Sequence, residues 1–203
     1  MTADTAGTVF PAETVLSDGS VYRVVPVETG VRAIRAWVEH PWPMSPAQAL
    51  ALRDRLGWTS SPTNERMFTT DHGIGEKDAS FNTIEAGGDT RTVSSFHLSL
   101  TSRIPKPVRA EAVPIAGRAF DAYVEALTAV YGQGKRSRNR GVLSVTWTLP
   151  NDALVDIGTV GRVVSVDVDS PALNEAARGE AQYFAEIADE NDVPYIDIDN
   201  PDT

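Results

Sequence analysis

The chain has 203 residues, of which 41% are hydrophobic and 23% charged, with 28 acidic groups against 18 basic ones and no cysteine. Such a length and mix suit one well-buried globular core, and the missing cysteines exclude disulfides, thiolate metal centres and cysteine nucleophiles. No run reaches the ~18 consecutive apolar residues of a membrane span, and the stretch from Met1 to Gly7 lacks the basic start and apolar core of a secretory signal, so a cytoplasmic protein with no membrane partner is expected.

In chain order, Val15 to Val27 reads as a hairpin turning at Ser17-Asp18-Gly19-Ser20. Val31, Ile34, Trp37 and Val38 then recur at helical spacing until Pro41-Trp42-Pro43 stops them. Ser45, Pro46 and Gln48 have the order of a capping box and open a helix with Ala49, Leu50, Leu52 and Leu56 inward, ended by Gly57. Strands are expected at Arg66 to Thr70, Ser80 to Glu85 and Thr92 to Ile104, where Phe96, Leu98 and Leu100 alternate with His97 and Ser99.

Pro105 and Pro107 break that sheet, and Pro114 marks the first turn of a helix with Ala116, Phe120, Tyr123, Val124, Leu127, Val130 and Tyr131 on one stripe, closed by Gly132. The tract from Gly132 to Arg140 reads as a loop. Leu143 to Leu149, Leu154 to Val160 and Val163 to Val168 form a meander, and Ser170-Pro171 opens a last helix with Leu173, Ala177, Ala181, Phe184 and Ala188 inward. The expected fold is α+β: an antiparallel sheet of two meander-like strand groups with about three helices packed mainly on one side. Residues 1–190 make one domain and residues 191–203 an acidic tail.

Charge is concentrated at that end. No Lys or Arg follows Arg178, whereas eight carboxylates do, and setting those eight aside leaves 20 acids against 18 bases. Asp189, Glu190, Asp192, Tyr195, Asp197 and Asp199 are therefore expected to dock into a basic cleft or add a strand to a partner; the plainer alternative is a solubilising end. Lys135, Arg136, Arg138 and Arg140 are a second partner-binding candidate, able to grip phosphates or an acidic surface, against the alternative of a solvated connection that shields the sheet edge.

Familiar chemistry is not found. Gly132-Gln-Gly-Lys-Arg-Ser137 departs from a phosphate loop because Arg136 intervenes between Lys135 and Ser137. Asp71-His72 with Glu76 and Asp78 reads as a turn of solvated charges rather than a metal site. The Asp197 to Asp202 run lacks the glycine and the closing glutamate of a calcium loop, and no Gly-x-Ser-x-Gly elbow occurs. Catalytic residues, metal and cofactor are accordingly expected to be none, and the basic tract has no aromatic platform for nucleic acid.

The segments Ala47-Leu-Ala-Leu-Arg-Asp-Arg-Leu-Gly-Trp58, Ala119-Phe-Asp-Ala-Tyr123, Val130-Tyr-Gly132, Val145-Thr-Trp-Thr-Leu-Pro150 and Val164-Ser-Val-Asp-Val168 together resemble a family of small uncharacterised actinobacterial proteins, similar to the cytosolic immunity proteins of polymorphic toxin systems. The resemblance implies an antitoxin that blocks a cognate secreted toxin or effector, such as an NAD glycohydrolase or a nuclease. It transfers no functional residue. A secretion chaperone or adaptor is the alternative, followed by a small-molecule enzyme using Asp71, His72 or the Lys135 to Arg140 loop.

Overall fold

The computed structural model describes residues 13–87 and 90–190. A short hairpin, β1 (Glu13–Val15) and β2 (Val21–Arg23), precedes helices α1 (Val27–Val38) and α2 (Pro46–Arg55). Four strands follow: β3 (Thr59–Ser61), β4 (Asn64–Thr69), β5 (Ala79–Glu85) and β6 (Arg91–Ser99). Helix α3 (Arg109–Tyr131) then leads into β7 (Lys135–Asn139), β8 (Val142–Thr148), β9 (Leu154–Thr159) and β10 (Val164–Asp169), and α4 (Pro171–Glu190) comes last. The fold is α+β.

Both meanders join one eight-stranded antiparallel sheet in the order β3-β4-β5-β6-β10-β9-β8-β7, so the last strand of each meander meets the other at the centre. Because side chains alternate across a strand, the register sorts the residues into two faces. Ala79, Leu98, Val166, Ile157 and Val145 lie opposite one another on successive strands and are buried. One residue along, Ser80, His97, Asp167, Asp156, Thr146 and Lys135 form the matching row on the other face.

Helices α1, α2 and α3 cover the apolar face. Trp37 of α1 stacks nearly parallel on Phe96 with ring centroids 4.0 Å apart, inside an aromatic cluster with Trp58, Phe68 and Phe81. Helix α2 starts as its sequence requires: the Ser45 side chain accepts from the Gln48 N–H while the Ser45 N–H donates to the Gln48 side chain. Its Ala49 and Leu52 are buried, whereas Leu50 and Leu56 are partly covered.

Four expectations require correction. Helix α3 begins five residues before Pro114, which lies inside it; the proline forgoes one hydrogen bond, but Val108, Ala112, Ile115 and Ala116 are buried along the same side and offset that loss. Val130 is exposed. Each meander has four strands rather than three, the extra ones being β3 and β7, and the tract read as a loop before Arg140 is β7. Finally, Ala177, Ala181 and Phe184 of α4 are exposed rather than inward: Leu173 is partly covered, Asn174 is buried, and every position from Glu175 to Phe184 faces solvent, while the Ala188 side chain falls outside the described residues.

Helices α1 and α3 approach closely at Gly30, where the Tyr123 hydroxyl donates to the Val25 carbonyl at 2.9 Å. A Cβ at Gly30 would lie 2.2 Å from that hydroxyl oxygen. Alanine in an exposed helix position stabilises relative to glycine; here overpacking reverses the sign. Gly30→Ala is expected to lower unfolding stability by about 2 kcal/mol, read from urea denaturation, and an unchanged or raised midpoint would contradict the packing described.

Candidate binding surface

The edge strand β7 carries Lys135, Arg136 and Arg138, all exposed, and Arg140 begins the tight turn into β8. Arg140 and Gly141 both adopt positive φ, at 46° and 83°, the conformation that tight hairpin turns demand. Strand alternation divides the cations. Lys135 lies opposite Thr146 on the polar face, whereas Arg136 and Arg138 lie opposite Val145 and Leu143 on the other. They form a charged rim around an edge rather than one patch, an arrangement that opposes edge-to-edge pairing.

Asp189 and Glu190 end α4. Their side chains, together with Asp192, Tyr195, Asp197 and Asp199, fall outside the described residues.

The turn between β4 and β5 is solvated at Asp71 and Glu76, as expected, but not at Asp78 and His72. Asp78 is buried and accepts from the Thr70 N–H at 2.7 Å and from the Thr70 hydroxyl at 2.5 Å, closing the loop on itself. The His72 side chain is 5% exposed and meets Trp58 edge-on, with centroids 5.8 Å apart. Burial lowers its pKa, and the carboxylates Asp71 and Asp78 offset this only in part. Asp71 lies 3.6 Å from the ring but is itself 68% exposed, so water screens its attraction. Trp58 itself is buried.

The polar face concentrates acid groups at the sheet centre. His97 Nδ1 lies 2.8 Å from Asp167 Oδ1, and Asp156 accepts from the Thr146 hydroxyl at 2.5 Å. Asp156 and Asp169 are both raised in pKa, first by burial, with the Asp167 charge adding to it in each case. Among the described residues no group of three or more His, Asp or Glu side chains is arranged to hold a metal ion, and no helix is long and apolar enough to cross a membrane.

A concave feature lies elsewhere, at the root of α4. A cavity of about 560 Å³ is walled by Glu39, His40 and the Pro41-Trp42-Pro43 connector, by Thr92 and Val93 of β6, by Asn151, and by the first turns of α4 through Glu175. Ser170 caps that helix, its hydroxyl accepting from the Leu173 N–H at 3.1 Å, and the Asn174 side chain ties it to the Asp152 carbonyl at 2.9 Å. Sequence reasoning missed this cleft because four separate segments build it. An indole between two prolines, directly after Glu39-His40, was the local signal.

Two titrations test these electrostatics. The folded state disfavours protonated His72, so its contribution is fully present above the unfolded value near 6.5 and is lost as pH falls toward the lowered folded pKa. Denaturation midpoints are expected to decline between pH 7 and pH 5, and His72→Gln to flatten that decline; an identical slope would place the linkage elsewhere. Asp169 has the opposite sign: its folded pKa is raised, so its ionisation costs stability at neutral pH. Asp169→Asn should stabilise by about 0.5 kcal/mol at pH 7, with the gain vanishing as pH approaches 4, measured by thermal unfolding.

No curated protein and no solved structure matches the chain. Residues 28–170, from the second residue of α1 to the cap of α4, match a family of unknown function, DUF6301, and the chain belongs to that family.

Proposed function

We propose that this chain is a binding protein of the immunity class, which acts by covering part of a cognate toxin or secreted effector. The observation that carries this is α4. Beyond its first turn the helix faces solvent, and it holds Tyr183 and Phe184 in edge-to-face contact at 5.8 Å, each 60% exposed. An aromatic pair without cover on a helix is a costly surface for a lone protein and a natural anchor in an interface.

Charge supports the same reading. Glu186, Asp189 and Glu190 follow the pair in sequence with no basic residue among them, and the chain as a whole carries a formal net charge of −10. A partner with an apolar notch rimmed by Lys and Arg complements such a helix, and electrostatic steering speeds the encounter. The cytoplasmic setting expected from the sequence belongs to this proposal.

The test is affinity purification of the tagged protein from its native cell, with products of neighbouring genes sought in an equimolar complex. The double variant Tyr183→Ala, Phe184→Ala is expected to keep its unfolding midpoint and to bind the captured partner at least about tenfold more weakly, or 1.4 kcal/mol. Removal of residues 191–203 is expected to weaken binding by a similar factor. Full affinity in the aromatic variant would remove α4 from the interface. A homodimer that buries the two rings would point instead to the chaperone or adaptor class.

A further inference from the structure

The cleft at the root of α4 has a lining of consistent chemistry. Two carboxylates, Glu39 and Glu175, border it, and among the described residues no lysine or arginine does. Glu39 is held in place by Arg35, whose Nε and Nη2 reach its two oxygens at 2.6 and 3.3 Å. Glu175 has no hydrogen-bonding or ionic partner among the described residues. His40 Nδ1 lies 3.0 Å from the Pro41 carbonyl, so in the neutral ring that nitrogen donates and Nε2 is left as an acceptor.

The same cleft has a flat, apolar element in its lining. Trp42 is half-buried between Pro41 and Pro43, while Trp37, Trp58 and Trp147 are all within the core. An indole bordered by carboxylates favours a cation on both counts, through the ring quadrupole and through Coulomb attraction. A planar guanidinium meets this geometry better than an ammonium, because it stacks on the ring while its fork of N–H donors reaches several acceptors at once.

We propose that the cleft receives an arginine side chain of the partner protein, stacked against Trp42 with its guanidinium bonded to Glu175 and Glu39. This rests on the protein-binding function proposed above, because it is the partner that supplies the arginine. Placement favours that source: Glu175 lies two turns before Tyr183 and Phe184 on α4, so a protein seated along the helix arrives at the cleft.

The probe is N-acetyl-arginine N-methylamide, titrated into the full chain while the Trp42 indole N–H is followed by NMR, assigned through Trp42→Phe. A saturable shift with a millimolar dissociation constant is expected, weaker for the lysine analogue and absent for the glutamine analogue. Glu175→Gln, a change at an exposed position, should weaken binding by about fivefold or more. No saturable shift, an equal response to the glutamine analogue, or full affinity in the doubly neutralised Glu39→Gln, Glu175→Gln variant would overturn the site. Arginine binding with no partner captured from the cell would retain the site and overturn its protein source. A captured partner whose affinity is indifferent to Glu175→Gln would leave the binding function standing and overturn the cleft's part in it.

Discussion

The flat stack of Trp37 on Phe96 joins the first helix to the middle of the sheet, and much of the molecule is arranged around it. Trp58, Phe68 and Phe81 surround the pair, so the region between α1, α2 and strands β4 to β6 is filled by rigid rings. Rings of this size bury a large area with few torsions to immobilise. Trp37 lies in the last turn of α1, and the connector that follows, from Glu39 to Pro43, lines the cleft together with Thr92 and Val93 of β6. The Val93 N–H donates to the Met44 carbonyl at 2.8 Å and holds that wall down.

What the sequence made readable follows the same division. The capping box at Ser45 and Gln48, the alternation through Phe96, Leu98 and Leu100, and the stripe from Ala116 to Leu127 are local patterns with local causes, and the structure contains all of them. The two strands that escaped notice, Thr59–Ser61 and Lys135–Asn139, are the two edges of the sheet. Neither contains an apolar residue, since an edge has less core to face and benefits from side chains that repel further pairing. Periodicity was therefore silent where negative selection against stacking governs composition.

Helix α4 shows the converse. Ala177, Ala181 and Phe184 have the spacing of a buried stripe, yet no element among the described residues covers them. Spacing defines a face; only the tertiary fold decides what lies against it. The same limit applied to His72 and Asp78, whose burial depends on Trp58 and on the hydroxyl of Thr70, and to the cleft, whose walls come together from distant segments. A carboxylate read as solvated is instead the internal clasp of a loop.

The way α4 is attached has a mechanical consequence. Its described contacts with the body are made near Ser170 and Asn174 and, one turn on, by the exposed Arg178, which reaches Asp152 at 3.3 Å, and at 1.5 Å per residue Tyr183 is roughly 18 Å along the axis from Pro171. The helix is thus a lever with its pivot beside the cleft. A rotation of about 10° at the pivot carries the aromatic pair through roughly 3 Å by that length, while the pivot end, where Glu175 sits, shifts far less. Under the binding function proposed above, partners of slightly different girth would be gripped at the tip without altering the register of whatever occupies the root.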